Sequence, residues 1–212
     1  MVLLKMLPVG PLGVNCYIVA SEETKKAIIV DPGDEPDTIL RTIKDLGLQA
    51  DLIVLTHAHF DHTMALARVI EETGAKFALH PLEIPFLNKV PGEFANWFGP
   101  MDPLPDPDFT VEDGDKVTVD GLELTVIHTP GHTPGGICLL GDGFVISGDT
   151  LFALSVGRAD FPGSDWNQLI DSIKTRLLVL PDETMVYPGH GGRTKIGLEK
   201  EQNPFVGTQA EL

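Results

Sequence analysis

Leu52-Ile53-Val54-Leu55, followed at once by Thr56-His57-Ala58-His59-Phe60-Asp61-His62, is the stretch on which the fold turns. The four apolar residues make a short continuous run, as in a strand buried on both faces of a sheet. Where that strand ends, three imidazoles and a carboxylate crowd into six residues. Imidazole nitrogen and carboxylate oxygen suit zinc and other borderline divalent ions. His57 and His59, two apart in an extended loop, can point the same way. Asp61 and His62 fall where a helix begins and can address a second, adjacent metal position. The other reading of Asp61 is a helix N-cap.

Outward from this segment, strands and helices alternate. Residues 2–7, 15–20 and 26–31 are apolar or β-branched runs punctuated by Pro8, Gly10, Pro11, Gly13 and the Asp31-Pro32-Gly33-Asp34 turn, which predicts a hairpin-rich start. Ile39, Leu40, Ile43 and Leu46 lie at helical spacing across 35–46, with Gly47 as the stop. A second helix is expected over 62–73, with Met64, Leu66, Ala67 and Ile70 as its apolar residues and Gly74 as its stop. A strand at 76–80 leads into a Pro-rich excursion, 81–107, carrying Phe86, Leu87, Phe94, Trp97, Phe98 and Met101 without a clear period. Such a segment can wall a cleft or make a dimer contact. Strands follow at 116–119, 122–128, 136–140 and 144–147, with Asp120-Gly121 and Asp142-Gly143 as hairpin turns. A third helix over 166–178, a strand at 184–187 and a short tail complete the chain. Interleaved elements of this kind predict a layered α/β architecture, and 212 residues fit one domain, 1–212.

Three further segments each end a strand with a potential ligand in a Gly/Pro turn: His132 in Pro130-Gly131-His132, Asp149 in Gly148-Asp149-Thr150, and His190 in Pro188-Gly189-His190. Each alone is a common turn. Together they supply the ligands that the first segment lacks. Cys16 and Cys138 lie inside apolar runs, as buried free thiols of a reducing compartment do. No basic, apolar leader opens the sequence and no apolar run approaches the roughly 18–20 residues of a membrane span, so a cytoplasmic protein is expected. The net charge of −16 repels phosphate backbones and anionic lipid, so neither nucleic acid nor membrane is an expected partner. A small-molecule substrate is expected, with the chain a monomer or homodimer.

The motifs Thr56-His57-Ala58-His59-Phe60-Asp61-His62, Pro130-Gly131-His132-Thr133-Pro134-Gly135, Gly148-Asp149-Thr150-Leu151-Phe152 and Pro188-Gly189-His190-Gly191, in this order, closely resemble those of the metallo-β-lactamase fold superfamily, and within it the glyoxalase II-like (hydroxyacylglutathione hydrolase-like) hydrolases. The resemblance implies a four-layer αβ/βα sandwich. It implies that His57, His59 and His132 hold one divalent metal, that Asp61, His62 and His190 hold a second, and that Asp149 bridges them. Zinc is the first expectation, with iron or manganese as alternatives. A water shared by two such ions loses its proton near neutral pH and becomes the nucleophile, oriented by Asp61, for a thioester or related small acyl substrate. Asp31 reads either as support behind the ligands, by resemblance to the same turn in the family, or as a turn-forming residue. His80 reads as a strand-end histidine with a local hydrogen bond, and His128 as a core residue or one behind the site.

Residues 151–161 qualify the substrate. In glyoxalase II this region contributes a basic residue and a tyrosine to glutathione binding; here Arg158 falls near the basic position and Asp160 near the tyrosine. Arg158 can anchor a substrate carboxylate through its guanidinium fork, or pair with Asp160 or Asp165. Only residues 191–212 follow His190, so the C-terminal helical domain that completes the glutathione site of glyoxalase II is expected to be absent. The run Gly157-Arg158-Ala159-Asp160-Phe161 also resembles persulfide dioxygenases, in which a single iron would be held here by His57, His132 and Asp149.

Overall fold

The computed structural model describes residues 1–89 and 103–208. Phe94, Trp97, Phe98 and Met101 of the expected excursion lie outside the described residues. The chain divides into two compact units: Met1–Leu79, Glu83–Thr110 and Thr118–Leu122 make the first, and His80–Leu82, Val111–Val117 and Glu123–Leu212 the second.

The first unit is built on a six-stranded sheet in sequential order: β1 (Val2–Val9), β2 (Val14–Ser21), β3 (Lys26–Val30), β4 (Gln49–Val54), β5 (Lys76–Leu79) and β6 (Phe109–Thr110). The first three strands pair antiparallel, as their tight turns require, and β3 to β6 run parallel. Parallel neighbours need crossovers, supplied between β3 and β4 by helix α1 (Pro36–Asp45) and between β4 and β5 by α2 (Leu66–Thr73). Pro36 sits in the first turn of α1, where its fixed φ and missing N–H are tolerated. Every residue of β2 is buried. Its alternate residues Val14, Cys16, Ile18 and Ala20 share a core with Ile39 and Ile43 of α1 and Leu66 and Val69 of α2.

The second sheet has the order β14-β13-β10-β9-β8-β7, from β7 (Lys116–Val119), β8 (Leu122–His128), β9 (Ile137–Gly141), β10 (Phe144–Gly148), β13 (Met185–Pro188) and β14 (Thr194–Lys195). Gly121 and Gly143 take positive φ, 78° and 76°, in the two predicted hairpin turns. A small hairpin, β11 (Leu151–Phe152) with β12 (Ser155–Val156), follows Asp149. Helix α3 (Trp166–Ser172) continues through a π turn (Ile173–Leu177) and buries Leu169, Ile173 and Leu177 against Cys138, Val145 and Val186.

The α/β class and the long elements agree with the sequence reading; three details do not. The helix expected over 62–73 is broken into a 3-10 turn (Phe60–His62) and α2. Thr63 leaves helical geometry at φ −128°, and Ala65 N–H donates 3.0 Å to the Pro32 carbonyl, so a long-range contact replaces a helical one. Val69 joins the expected Leu66 as a fully buried residue of α2, while Ile70 is only partly buried. The expected tail contains helix α4 (Ile196–Gln202), hidden from periodicity because an acid faces inward. Buried Glu199 accepts from Leu154 N (3.1 and 3.0 Å), Thr194 Oγ1 (2.6 Å) and Asn203 Nδ2 (2.7 Å), tying α4 to the β11–β12 hairpin. Among the described residues, no helix is long and apolar enough to cross a membrane.

Two glycines fix close backbone approaches beside predicted ligands. A Cβ on Gly33 would lie 2.0 Å from the Asp61 carbonyl oxygen, and one on Gly157 would lie 1.9 Å from that of Asp149. Neither position holds a side chain without a backbone shift. His80 and His128, in the second unit, stack with ring centroids 4.3 Å apart and an interplanar angle of 7°. His80 Nδ1 accepts from Leu82 N–H (3.3 Å), the local bond expected for it. His128 Nε2 donates to the Pro134 carbonyl (3.0 Å), and its backbone N–H donates to Asp113, which Arg176 also engages. Burial, and secondarily the neighbouring His128, push the His80 imidazole from 6.5 down to about 4.

Gly157→Ala and Gly33→Ala each lower unfolding stability by at least about 1–3 kcal/mol in chemical denaturation, the cost of overpacking; wild-type midpoints for both would contradict the packing. The folded state holds His80 neutral, so its contribution is full above the unfolded pKa of about 6.5 and declines as pH falls toward 4. The urea midpoint of wild type therefore drops more between pH 7 and pH 5 than that of His80→Gln; equal drops would refute the assignment.

Candidate metal centre

Strands β3 and β4 are parallel neighbours, with Val30 opposite Val54, so the segments that follow them leave the same edge of the sheet. That edge, beyond the carboxyl ends of parallel strands, is where α/β proteins build sites. Asp31 is the first residue out of β3, fully buried and held at φ 50°. Its Oδ1 accepts Thr56 N–H at 2.7 Å, and its Oδ2 accepts the Thr56 hydroxyl at 2.6 Å and His62 Nδ1 at 2.9 Å. Thr56 Oγ1 also lies 3.1 Å from His57 Nδ1. Asp31 thus ties down the segment that carries the predicted ligands, as the first of its two readings expects.

Because a carboxylate only accepts, Nδ1 of His62 carries the proton. The Thr56 hydroxyl spends its proton on Asp31, so it accepts from His57 Nδ1 as well. Both rings therefore turn an Nε2 lone pair away from the network, the tautomer that a metal ligand needs. Asp31, His57 and His62 lie close enough together to hold an ion. Both Asp31 oxygens already accept hydrogen bonds from Thr56 and His62, which makes Asp31 an anchor for the segment.

The loop between the histidines is fixed from a second direction. Glu83 is buried, and its Oε2 accepts Ala58 N–H at 2.8 Å. The His57 ring meets His59 edge-on with centroids 4.7 Å apart, and His62 with centroids 4.2 Å apart. Asp61 lies inside the 3-10 turn whose cap position is His59, so the N-cap alternative fails. Its Oδ2 stands 3.9 Å from His62 Nε2. The first unit thus gathers His57, His59, Asp61 and His62.

In the second unit, β10 and β13 are parallel neighbours, with Gly148 paired to Pro188, so Asp149 and His190 leave one edge together. His132 sits in the turn between β8 and β9, where Gly131, at φ 134°, packs so closely on α3 that a Cβ would lie 2.2 Å from Leu169 N. His132 Nδ1 donates to the Arg158 carbonyl at 2.7 Å, which fixes the same tautomer as in the first unit. Asp149 Oδ2 lies 3.6 Å from His132 Nε2 and 3.7 Å from His190 Nε2. These gaps exceed a hydrogen bond and approach the ~3.3 Å edge of a tetrahedron with ligand distances of ~2.0–2.1 Å.

Arg158 has an exposed guanidinium that grips Asp160 through two bonds, Nε to Oδ1 (2.9 Å) and Nη2 to Oδ2 (2.8 Å), and covers the Phe161 ring at 4.4 Å. The hydrogen-bonded fork holds the Asp160 carboxyl below its ordinary range. Phe161 in turn meets His132 edge-on, with centroids 6.0 Å apart. Both cysteines are free and fully buried. Burial, then the charge of Asp31, raises the Cys16 thiol far above its usual value, and burial pushes Cys138 up to about 11. Neither is a nucleophile near neutral pH.

Sequence reasoning did not assign Thr56, Glu83 or the Arg158 carbonyl a role. Thr56 directly precedes His57, and Glu83 is a lone acid between apolar residues; the carbonyl leaves no trace in sequence.

The family model for the metallo-β-lactamase superfamily matches residues 9–190. Hydroxyacylglutathione hydrolase GloC of Haemophilus influenzae is 36% identical over 217 residues, covering 98% of this chain and 99% of that protein. The crystal structure of TTHA1623 in a di-iron-bound form superposes with a TM-score of 0.85 at 40% identity, covering 95% and 99% of the two chains. That of ETHE1 from Myxococcus xanthus does so at 0.81 and 31%, covering 96% and 84%. Its histidine and aspartate groups can hold metal ions, and by sequence and by fold the chain belongs to the metallo-β-lactamase superfamily of metallo-hydrolases.

Proposed function

We propose that the protein is a binuclear metal-dependent hydrolase of thioesters and related small acyl compounds, acting as a hydroxyacylglutathione hydrolase does. The observation that carries this reading is the shared orientation of three imidazoles. His57, His62 and His132 each commit Nδ1 to an oxygen acceptor, leaving Nε2 as the ligating atom. His57, His59 and His132 would hold one metal, and Asp61, His62 and His190 the second, with Asp149 common to both. The likeness to GloC supports the thioester substrate, and the di-iron form of TTHA1623 keeps iron beside zinc as the resident metal.

Two divalent ions would supply a nucleophile from water at neutral pH and stabilise negative charge on the substrate oxygen. The chain's own groups do the rest. Asp61, beside His62, accepts a hydrogen bond from the attacking water and so aims it. Asp31 and Glu83 keep the histidine loop from relaxing. Arg158 is the anchor for a substrate carboxylate, which must displace Asp160 to reach the fork. With both thiols buried and raised, no covalent acyl-enzyme is needed. The charge of −16 fits a small substrate rather than nucleic acid or membrane, and a cytoplasmic location suits the free thiols. The chain would act as a monomer or homodimer.

A second reading rests on the resemblance of Gly157-Arg158-Ala159-Asp160-Phe161 to persulfide dioxygenases. In that case His57, His132 and Asp149 would hold a single iron.

Metal analysis of the purified protein paired with a substrate panel separates the two. The proposal expects about two metals per chain, hydrolysis of S-lactoylglutathione or another thioester, and a loss of at least about 100-fold in kcat for His57→Ala and Asp149→Ala. One iron per chain, oxygen consumption with glutathione persulfide and no thioester hydrolysis would overturn it.

A further inference from the structure

Asp31 is linked by different routes to His57 and His62, two histidines of the first unit that serve different proposed metals. It reaches His62 directly, Oδ2 to Nδ1 at 2.9 Å. His57 it reaches only through the Thr56 hydroxyl, 2.6 Å from Asp31 Oδ2 and 3.1 Å from His57 Nδ1. All three side chains, and Asp31 itself, are buried at 2% exposure or less, so water does not compete for these bonds. The result is one unbroken run: His57 Nδ1–H to Thr56 Oγ1, Thr56 O–H to Asp31 Oδ2, and His62 Nδ1–H to the same Oδ2.

From this run we infer that Thr56 is a positioning residue. It carries the influence of the Asp31 carboxylate to His57, so that one buried acid sets the tautomer and basicity of a ligand at each of the two metal positions. The inference rests on the metal-centre reading above. Hydroxyl polarity matters here, not side-chain volume. Valine matches threonine in shape but neither donates to Asp31 nor accepts from His57, and it leaves the Asp31–His62 bond in place. Serine keeps both bonds. The Thr56 backbone N–H to Asp31 Oδ1 bond survives every substitution, which isolates the hydroxyl's part from the loop's.

Two measurements test it. In the first, ¹⁵N side-chain NMR of metal-free protein at fixed pH reports the tautomer of each ring. Wild type and Thr56→Ser are expected to show His57 and His62 both protonated on Nδ1. Thr56→Val is expected to shift His57 toward a mixture while His62 stays fixed. In the second, titration of metal-free protein with zinc against a chromogenic chelator gives the affinity of each step. Thr56→Val is expected to weaken one step by about 10–100-fold and the other by much less, with Thr56→Ser near wild type. Thr56→Ala serves the same purpose if the valine variant does not fold.

Unchanged His57 tautomer in Thr56→Val, or zinc affinities equal to wild type despite an altered melting temperature, would overturn the inference by reducing Thr56 to a structural role. Wild-type protein that binds no zinc or only one equivalent would instead overturn the binuclear reading, and the NMR result would still stand or fall by itself.

Discussion

The bond between the Asp31 carboxylate and Thr56 is the constraint on which the site depends. It joins the first residue beyond β3 to the segment beyond β4, and so turns two independent loop exits into one rigid edge. A buried charge is tolerated only when its lone pairs are filled, and Asp31 fills them with a backbone N–H, a hydroxyl and an imidazole N–H. Each of those donors belongs to the Thr56–His62 segment. The energetic requirement of the acid therefore dictates where the candidate ligands stand. Removing it would leave three buried donors unsatisfied at once, a larger loss than any one hydrogen bond.

A parallel logic runs through the second unit, with backbone groups in the place of an acid. The Arg158 carbonyl orients His132, Gly131 lets α3 approach that turn, and Gly157 lets the chain pass against the Asp149 carbonyl. Glu199 anchors the hairpin that follows Asp149 from the far end of the sequence. The candidate ligands thus stand on loops, yet each loop is tied to a sheet edge, a helix or a buried carboxylate. Preorganisation of this kind spares a site from ordering itself when metal or substrate arrives.

Much of this was legible in the sequence because the signals were dense. Continuous apolar strands, helical spacing at Ile39 and Ile43, and Asp-Gly turns mark elements through local chemistry. The four motifs carry the ligand types in order. What escaped was held by long-range contacts. The break at Thr63 depends on a bond to Pro32, α4 turns a glutamate inward where periodicity asks for an apolar residue, and β6, β11, β12 and β14 are two residues long, too short to alternate. Glu83 reads as an ordinary surface acid in an apolar neighbourhood until the fold buries it under Ala58. Arg158 was open to two partners in sequence, and its fork is filled by the acid two residues on, a choice of geometry rather than composition.

In the proposed centre, seven histidine and aspartate side chains would hold two ions. A crystal structure of the metal-loaded protein, with anomalous data collected at the absorption edge of the bound metal, measures this directly. The predicted result is two anomalous peaks, one ligated by His57, His59 and His132, the other by Asp61, His62 and His190, with Asp149 reaching both. A single peak held by His57, His132 and Asp149, with Asp61 and His62 uninvolved, would contradict it.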